Sequence, residues 1–230
     1  MAPSASGARA ASATIAMLLA DARLPSGGHA HSAGMEPALA GGLPVADVPA
    51  FLVGRARTTT LVEAGTAVVA RHLTLHGHDT GVVERAWAAR TPSPAMRDAS
   101  RVLGRGYLRL AARVWPEADA LRRARERRDP PPRAVVLGMV AAAAGLSAED
   151  LVRATVYDEA HSAASAVLKL EPRDPADTII WVLDTCATVE HLVPLLAELT
   201  SPDAIPAAGA PQAEGWAEAH SLLNQRLFRA

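Results

Sequence analysis

The stretch that decides the reading is Leu18-Leu-Ala-Asp-Ala-Arg-Leu-Pro-Ser-Gly-Gly-His-Ala-His-Ser-Ala-Gly-Met-Glu36. It opens as the end of an apolar helix, breaks at Leu24-Pro25-Ser26-Gly27-Gly28, and restarts through His29-Ala30-His31-Ser32 into Gly34-Met35-Glu36. Pro25 fixes one backbone angle, and Gly27 and Gly28 allow positive φ. Such a turn presents its backbone and two histidines. By itself it is also compatible with an ordinary connector between two helices.

Outward from this loop the pattern is helical throughout. Strand alternation is absent, and Gly/Pro punctuation falls between segments of 3.6-residue period. Helices are expected near 10–21, 31–40, 47–75 (bent near Thr58-Thr59-Thr60), 79–90, 94–115, 117–128, 133–145, 147–170, 175–200 and 214–228. Asp47 and Ser147 are candidate N-caps. Val135 to Ala144 is apolar on every side, as in a buried helix. Residues 201–213, Ser-Pro-Asp-Ala-Ile-Pro-Ala-Ala-Gly-Ala-Pro-Gln-Ala, look like a flexible linker. The expectation is one all-α domain of roughly ten helices: a disordered tail over 1–9, the body over 10–200, the linker, and a docking helix in a mobile arm over 214–230.

Composition agrees. Half of the 230 residues are hydrophobic but only 3% are aromatic, so the core must be built from Ala, Leu and Val. The single cysteine, Cys186, excludes an internal disulfide and suits a reducing, cytoplasmic setting. The N-terminus lacks the long apolar core of a signal peptide, and Ala13 to Ala20 is too short to cross a bilayer. Net charge is −1, yet Arg97 to Arg133 holds eleven arginines against five acids.

Several constellations could carry chemistry. His72, His76 and His78 include an i, i+4 pair with metal-ligand spacing, although histidines at a helix C-terminus also favour the dipole. His29 and His31 are candidates for transient metal contact, for partner contact or for loop-fixing hydrogen bonds. Arg97, Arg101, Arg105, Arg109 and Arg113 form one ridge, either a solvated face or a docking stripe for an acidic partner. The slightly negative net charge and missing aromatics speak against nucleic acid. Ser32 and Ser162 each follow a histidine. There is nevertheless no nucleophile elbow, phosphate loop or H-E-x-x-H, and no catalytic residue or cofactor is assigned.

The opening stretch resembles the N-terminal signature of the UreF family of urease accessory proteins: Asp21, Leu24-Pro25-x-Gly27, then His31-Ser32-x-Gly34-Met35-Glu36. The family usually has an aromatic where this chain has His29. The likeness continues through Ser100-Arg101, Gly104-Arg105, Val114-Trp115-Pro116, the run Val135 to Ala166, and His220 with Arg226-Leu227-Phe228. Lys169-Leu170-Glu171-Pro172 keeps the basic residue and proline of a family motif but loses its Gly-Gln-Thr. Arg133 stands where the family usually has histidine. The resemblance implies a non-enzymatic, all-helical homodimer that bridges the UreD/UreH scaffold and the UreG GTPase and couples GTP hydrolysis to nickel delivery into apo-urease. It places partner contacts on Pro25, Gly27, His29, His31, Ser32, Glu36, Lys169, His220, Arg226, Leu227 and Phe228. A direct nickel carrier, with His29 and His31 as ligands, is the alternative. A nucleic-acid-binding regulator and a membrane protein are not expected.

Overall fold

A computed structural model describes residues 5–21, 23–222 and 227–228, with the side chains of 5–10 and 29 left aside. Arg226 therefore lies outside the described residues. Twelve α-helices occur among them, joined by short 3₁₀ turns, and no strand. They are α1 (Ala5–Ala20), α2 (Met35–Ala40), α3 (Val48–Ala56), α4 (Thr59–Leu75), α5 (Gly81–Arg90), α6 (Pro94–Val114), α7 (Asp119–Glu126), α8 (Arg133–Ala144), α9 (Ala148–Leu170), α10 (Pro175–Val189), α11 (Val193–Ala197) and α12 (Pro211–Ser221).

Local chemistry sets the ends. Ser93 and Ser147 accept the backbone N–H groups of Met96 and Asp150, Asp174 accepts that of Ala176, and Pro94 and Pro175 occupy first turns. Gly145, at φ +72°, closes α8. The bend expected near Thr58 is a full break between α3 and α4, with Thr58 Oγ1 donating to Gly54 O. The helix expected over 175–200 is divided by a 3₁₀ turn at Glu190–Leu192, just before Pro194. The short helix expected from residue 31 starts only at Met35.

The centre is the crossing of α4 and α8. A Cβ on Gly138 would stand 2.3 Å from Ala67 O, so only glycine lets the two backbones approach this closely. Val62, Val68 and Val69 of α4 share one buried cluster with Val135, Val136 and Val140 of α8, all nearly inaccessible. Each such side chain contributes about 1.5–3 kcal/mol on burial. A second cluster joins Met35, Val48, Leu52, Ala163, Val167, Val182 and Phe228, binding α2, α3, α9 and α10.

The stretch read as a linker is held against the body. Ile205 is 3% exposed and belongs to the main core, and Arg90 donates to the carbonyls of Ile205 and Asp203. The following helix packs on α2 and α6. Pro/Ala-rich sequence has no apolar period, so these long-range contacts leave no local trace. At the other end α1 already begins at Ala5, inside the tail expected over 1–9.

By length and composition Pro175–Ala197 could cross a membrane, and 28% of its most apolar window is buried in the body. Val182, Thr185 and Val189 form its inner side, while Ile179, Ile180, Leu183 and Leu195 stay exposed.

Candidate functional site

The Leu24–Gly34 loop lies against α6. A Cβ on Gly106 would come 1.7 Å from Ser26 O, so this glycine is the seat of the loop. Gly27 adopts φ +90° with open space around it, Ala33 φ +47° and Gly34 φ +81°. Gly28, expected to share the strained geometry, instead begins a 3₁₀ turn without positive φ. At Gly34 a Cβ would also meet Arg55 Nη1 at 2.5 Å. Pro25 is exposed, Ser26 and Ser32 are buried, and Ser32 Oγ accepts the Glu36 N–H to start α2. Asp21, at the loop entrance, is held down to about 2 by hydrogen bonds from Arg23.

His31 and Glu36, both expected to contact partners, part company here, and the side chain of His29 lies outside the described residues. The His31 ring turns inward. Its Nδ1 accepts the Ala33 N–H at 3.0 Å, which is the loop-fixing role, and its Nε2 is buried with no hydrogen-bond partner. Burial, with Arg133 and Arg55 nearby, pushes its pKa down to about 4, so the ring is neutral at physiological pH.

Beneath His31 lies a charged network absent from the sequence reading. Arg133, 4% exposed, grips Asp158 and Glu159 from the first turn of α8, and Arg55 Nη2 reaches Glu159 Oε2 at 2.8 Å. Burial opposes ionisation of Glu159, but the two arginines outweigh it and hold its pKa low. Burial raises that of Asp158. Glu63, which accepts the Trp87 indole N–H at 2.5 Å, is pushed up to about 7 by burial and by the nearby Glu159. The partners lie 26 and 104 residues apart, so no local spacing announces them. The one sequence signal is that Asp158-Glu159 are the only Asp, Glu, Lys or Arg residues between Arg153 and Lys169.

Glu36 faces the C-terminal arm. Its Oε1 accepts the Leu227 N–H at 2.7 Å, and its Oε2 accepts the Phe228 N–H at 2.9 Å and lies 3.2 Å from His220 Nε2. Phe228 is 6% exposed, with Lys169 Nζ 5.0 Å from its ring centroid. Upstream, Glu218 accepts from Ser93 Oγ and the Ala95 N–H, and Trp216 sits where Gly41 leaves no room for a Cβ. The structure thus gathers Glu36, Lys169, His220, Leu227 and Phe228 into one clasp, with Pro25, Gly27 and His31 on the neighbouring loop. Cavities of about 230 Å³ and 450 Å³ flank that loop, and His31 lines both.

On the arginine ridge, Arg105, Arg109 and Arg113 are exposed, whereas Arg97 turns back to the carbonyls of Thr91 and Pro92. Cys186 is half-buried, and burial raises its thiol pKa.

An all-helical body carries a glycine-rich loop beside a terminal arm that Glu36 holds in place, and comparison with known proteins places it in the class of urease accessory proteins. The chain belongs to the UreF family: the family model matches residues 45–184. It is similar to the urease accessory protein UreF of Mycobacterium marinum, 40% identical over 82% of this chain and 90% of that protein. It is likewise similar to those of Mycolicibacterium vanbaalenii (38%; 76% and 81%) and Mycobacterium sp. (42%; 71% and 75%).

Proposed function

We propose that the chain is a non-enzymatic, cytoplasmic urease maturation factor. In this reading it bridges the UreD/UreH scaffold and the UreG GTPase and couples GTP hydrolysis to nickel insertion into apo-urease. The observation that carries the reading is the clasp. Two motifs at opposite ends of the chain, each resembling a family motif, meet where Glu36 contacts His220, Leu227 and Phe228. Leu222 and Leu227, 83% and 65% exposed, stand beside it as apolar anchors. The scaffold contact is assigned there, and the loop with Pro25 and Gly27 is assigned to the GTPase side.

Homodimerisation is assigned to the exposed apolar side of α10, where Ile179, Ile180 and Leu183 lie in one patch. A carrier role through His31 has little support, since that ring is turned inward and one nitrogen already accepts a backbone N–H.

The test mixes the full chain with its own UreD/UreH and UreG and weighs the product by light scattering. A complex containing all three is expected. Leu222→Asp with Leu227→Asp should abolish scaffold binding without lowering the melting temperature, because both side chains are exposed. A double variant that still binds would remove the arm from the interface, and failure of the wild type to bind either partner would overturn the reading.

A further inference from the structure

We propose that His72 and His76, completed by His78, form a solvent-facing site for a divalent late transition-metal ion at the C-terminal end of α4. The site is separate from the loop and the clasp and does not depend on the bridging function.

Three observations place these imidazoles together. His72 and His76 are one turn apart on the same face, with ring centroids 4.3 Å apart. Two imidazoles bound cis to one ion at metal–nitrogen distances of about 2.1 Å hold their centroids about 4.5 Å apart, so the pair already has the spacing of a chelate. Next, His76 Nδ1 lies 2.8 Å from His72 O. An Nδ1–H donated to that carbonyl leaves the Nε2 lone pair outward, the arrangement by which a backbone carbonyl orients a metal-binding histidine. Finally, His78 is fixed by the way the helix ends. Its N–H donates to Leu73 O at 2.9 Å and the Gly77 N–H donates to Thr74 O at 3.1 Å, with Gly77 at φ +71°. This paired closure of a helix end swings His78 back beside His76, to a centroid distance of 6.2 Å.

A single imidazole would serve the helix dipole. Three in a row, His72 beside His76 and His76 beside His78, none making an ion pair among the described residues, exceed that need. As placed, the His72 and His76 rings are tilted by 39° and the His76 and His78 rings meet edge to face, and among the described residues no three ligands converge on one point. Binding therefore requires the exposed His76 and His78 and the half-buried His72 to turn about their side-chain torsions. All-imidazole ligation suits nickel, copper and zinc over magnesium or calcium. A shallow site held by imidazoles alone exchanges its ion readily.

The test is equilibrium dialysis of the full chain against NiCl2 and, separately, ZnCl2. The wild type is expected to bind one equivalent saturably at this site. His72→Ala and His76→Ala should each weaken it by about tenfold or more, and His78→Ala by less. Circular dichroism of the variants should match the wild type, since these side chains leave the core untouched. His191→Ala serves as a control and should bind as the wild type does. No saturable binding, binding unchanged in both His72→Ala and His76→Ala, or binding lost in His29→Ala instead would each overturn the proposal.

Discussion

His220 Nε2 lies 3.2 Å from Glu36 Oε2, and His220 is 3% exposed. This contact joins the first helical turn after the glycine loop to the end of α12. The same carboxylate holds the backbone of Leu227 and Phe228, so one side chain fixes three points of the terminal arm. Glu36→Ala would leave His220 buried without its partner and both N–H groups without their acceptor. The expected loss is about 2–3 kcal/mol, a fall of roughly 5–10 °C in melting temperature for a chain of this size. The arm should also become sensitive to limited proteolysis after α12. A variant that melts like the wild type and resists protease would show that the arm is held by Phe228 and Trp216 alone.

Gly106 and Gly54 make opposite predictions although both are helical glycines. A methyl group at Gly106 collides with the Ser26 carbonyl, whereas nothing stands within 4 Å of one at Gly54. Gly106→Ala must lift the loop off α6 and should cost about 3 kcal/mol. Gly54→Ala should be neutral or stabilising by about 0.5–1 kcal/mol from helix propensity. Chemical denaturation of the two variants side by side checks both signs.

The same contrast shows what the sequence could and could not disclose. Breaks at Pro94, Pro116, Gly145 and Pro175 are local chemistry, and the helices between them were legible to within a few residues. The all-α fold followed from those signals. Gly106 carries no such signal, because its reason is a carbonyl eighty residues earlier in the chain. Arg133 heads a segment that reads as uniformly apolar, and only the fold brings Asp158 and Glu159 beneath it. Glu36 and His220 were legible as candidate positions through family resemblance, but not as each other's partners.

Glu63 predicts a pH dependence with a definite sign. Its folded pKa of about 7 lies above the ordinary value of 4.5, so the folded state binds this proton more tightly than the unfolded state. The stabilisation is fully present below about pH 4.5 and is lost as pH rises through 7. His31, depressed to about 4, works the other way: its contribution is present above its unfolded value of 6.5 and is lost as pH falls towards 4. The two oppose each other between pH 4.5 and 6.5. Glu63→Gln removes the first and leaves the second. Relative to wild type it should gain stability steadily from pH 5 to pH 8, by on the order of 1–2 kcal/mol after allowance for solvent screening. Urea midpoints at several pH values measure this, and a difference constant with pH would rule out titration of Glu63.

The loop supplies the last prediction, in which fold and function can be separated. Gly27 has positive φ but open space, so Gly27→Val costs only backbone strain, about 1–3 kcal/mol. Gly34→Ala meets both strain and the Arg55 guanidinium and should cost more than Gly27→Ala. His31→Ala removes a buried ring that accepts the Ala33 N–H, so it should destabilise by about 1–3 kcal/mol rather than the few tenths expected of an exposed loop residue. If the loop surface meets the GTPase, Gly27→Val should reduce urease activation in cells by more than its melting temperature explains, while His31→Ala should lose activity only in proportion to stability. Thermal melts of the purified variants beside urease assays of the expressing cells distinguish the two. Proportional losses in both variants would make the loop structural throughout, and excess activity loss in His31→Ala would give that inward-turned imidazole a role beyond holding the turn.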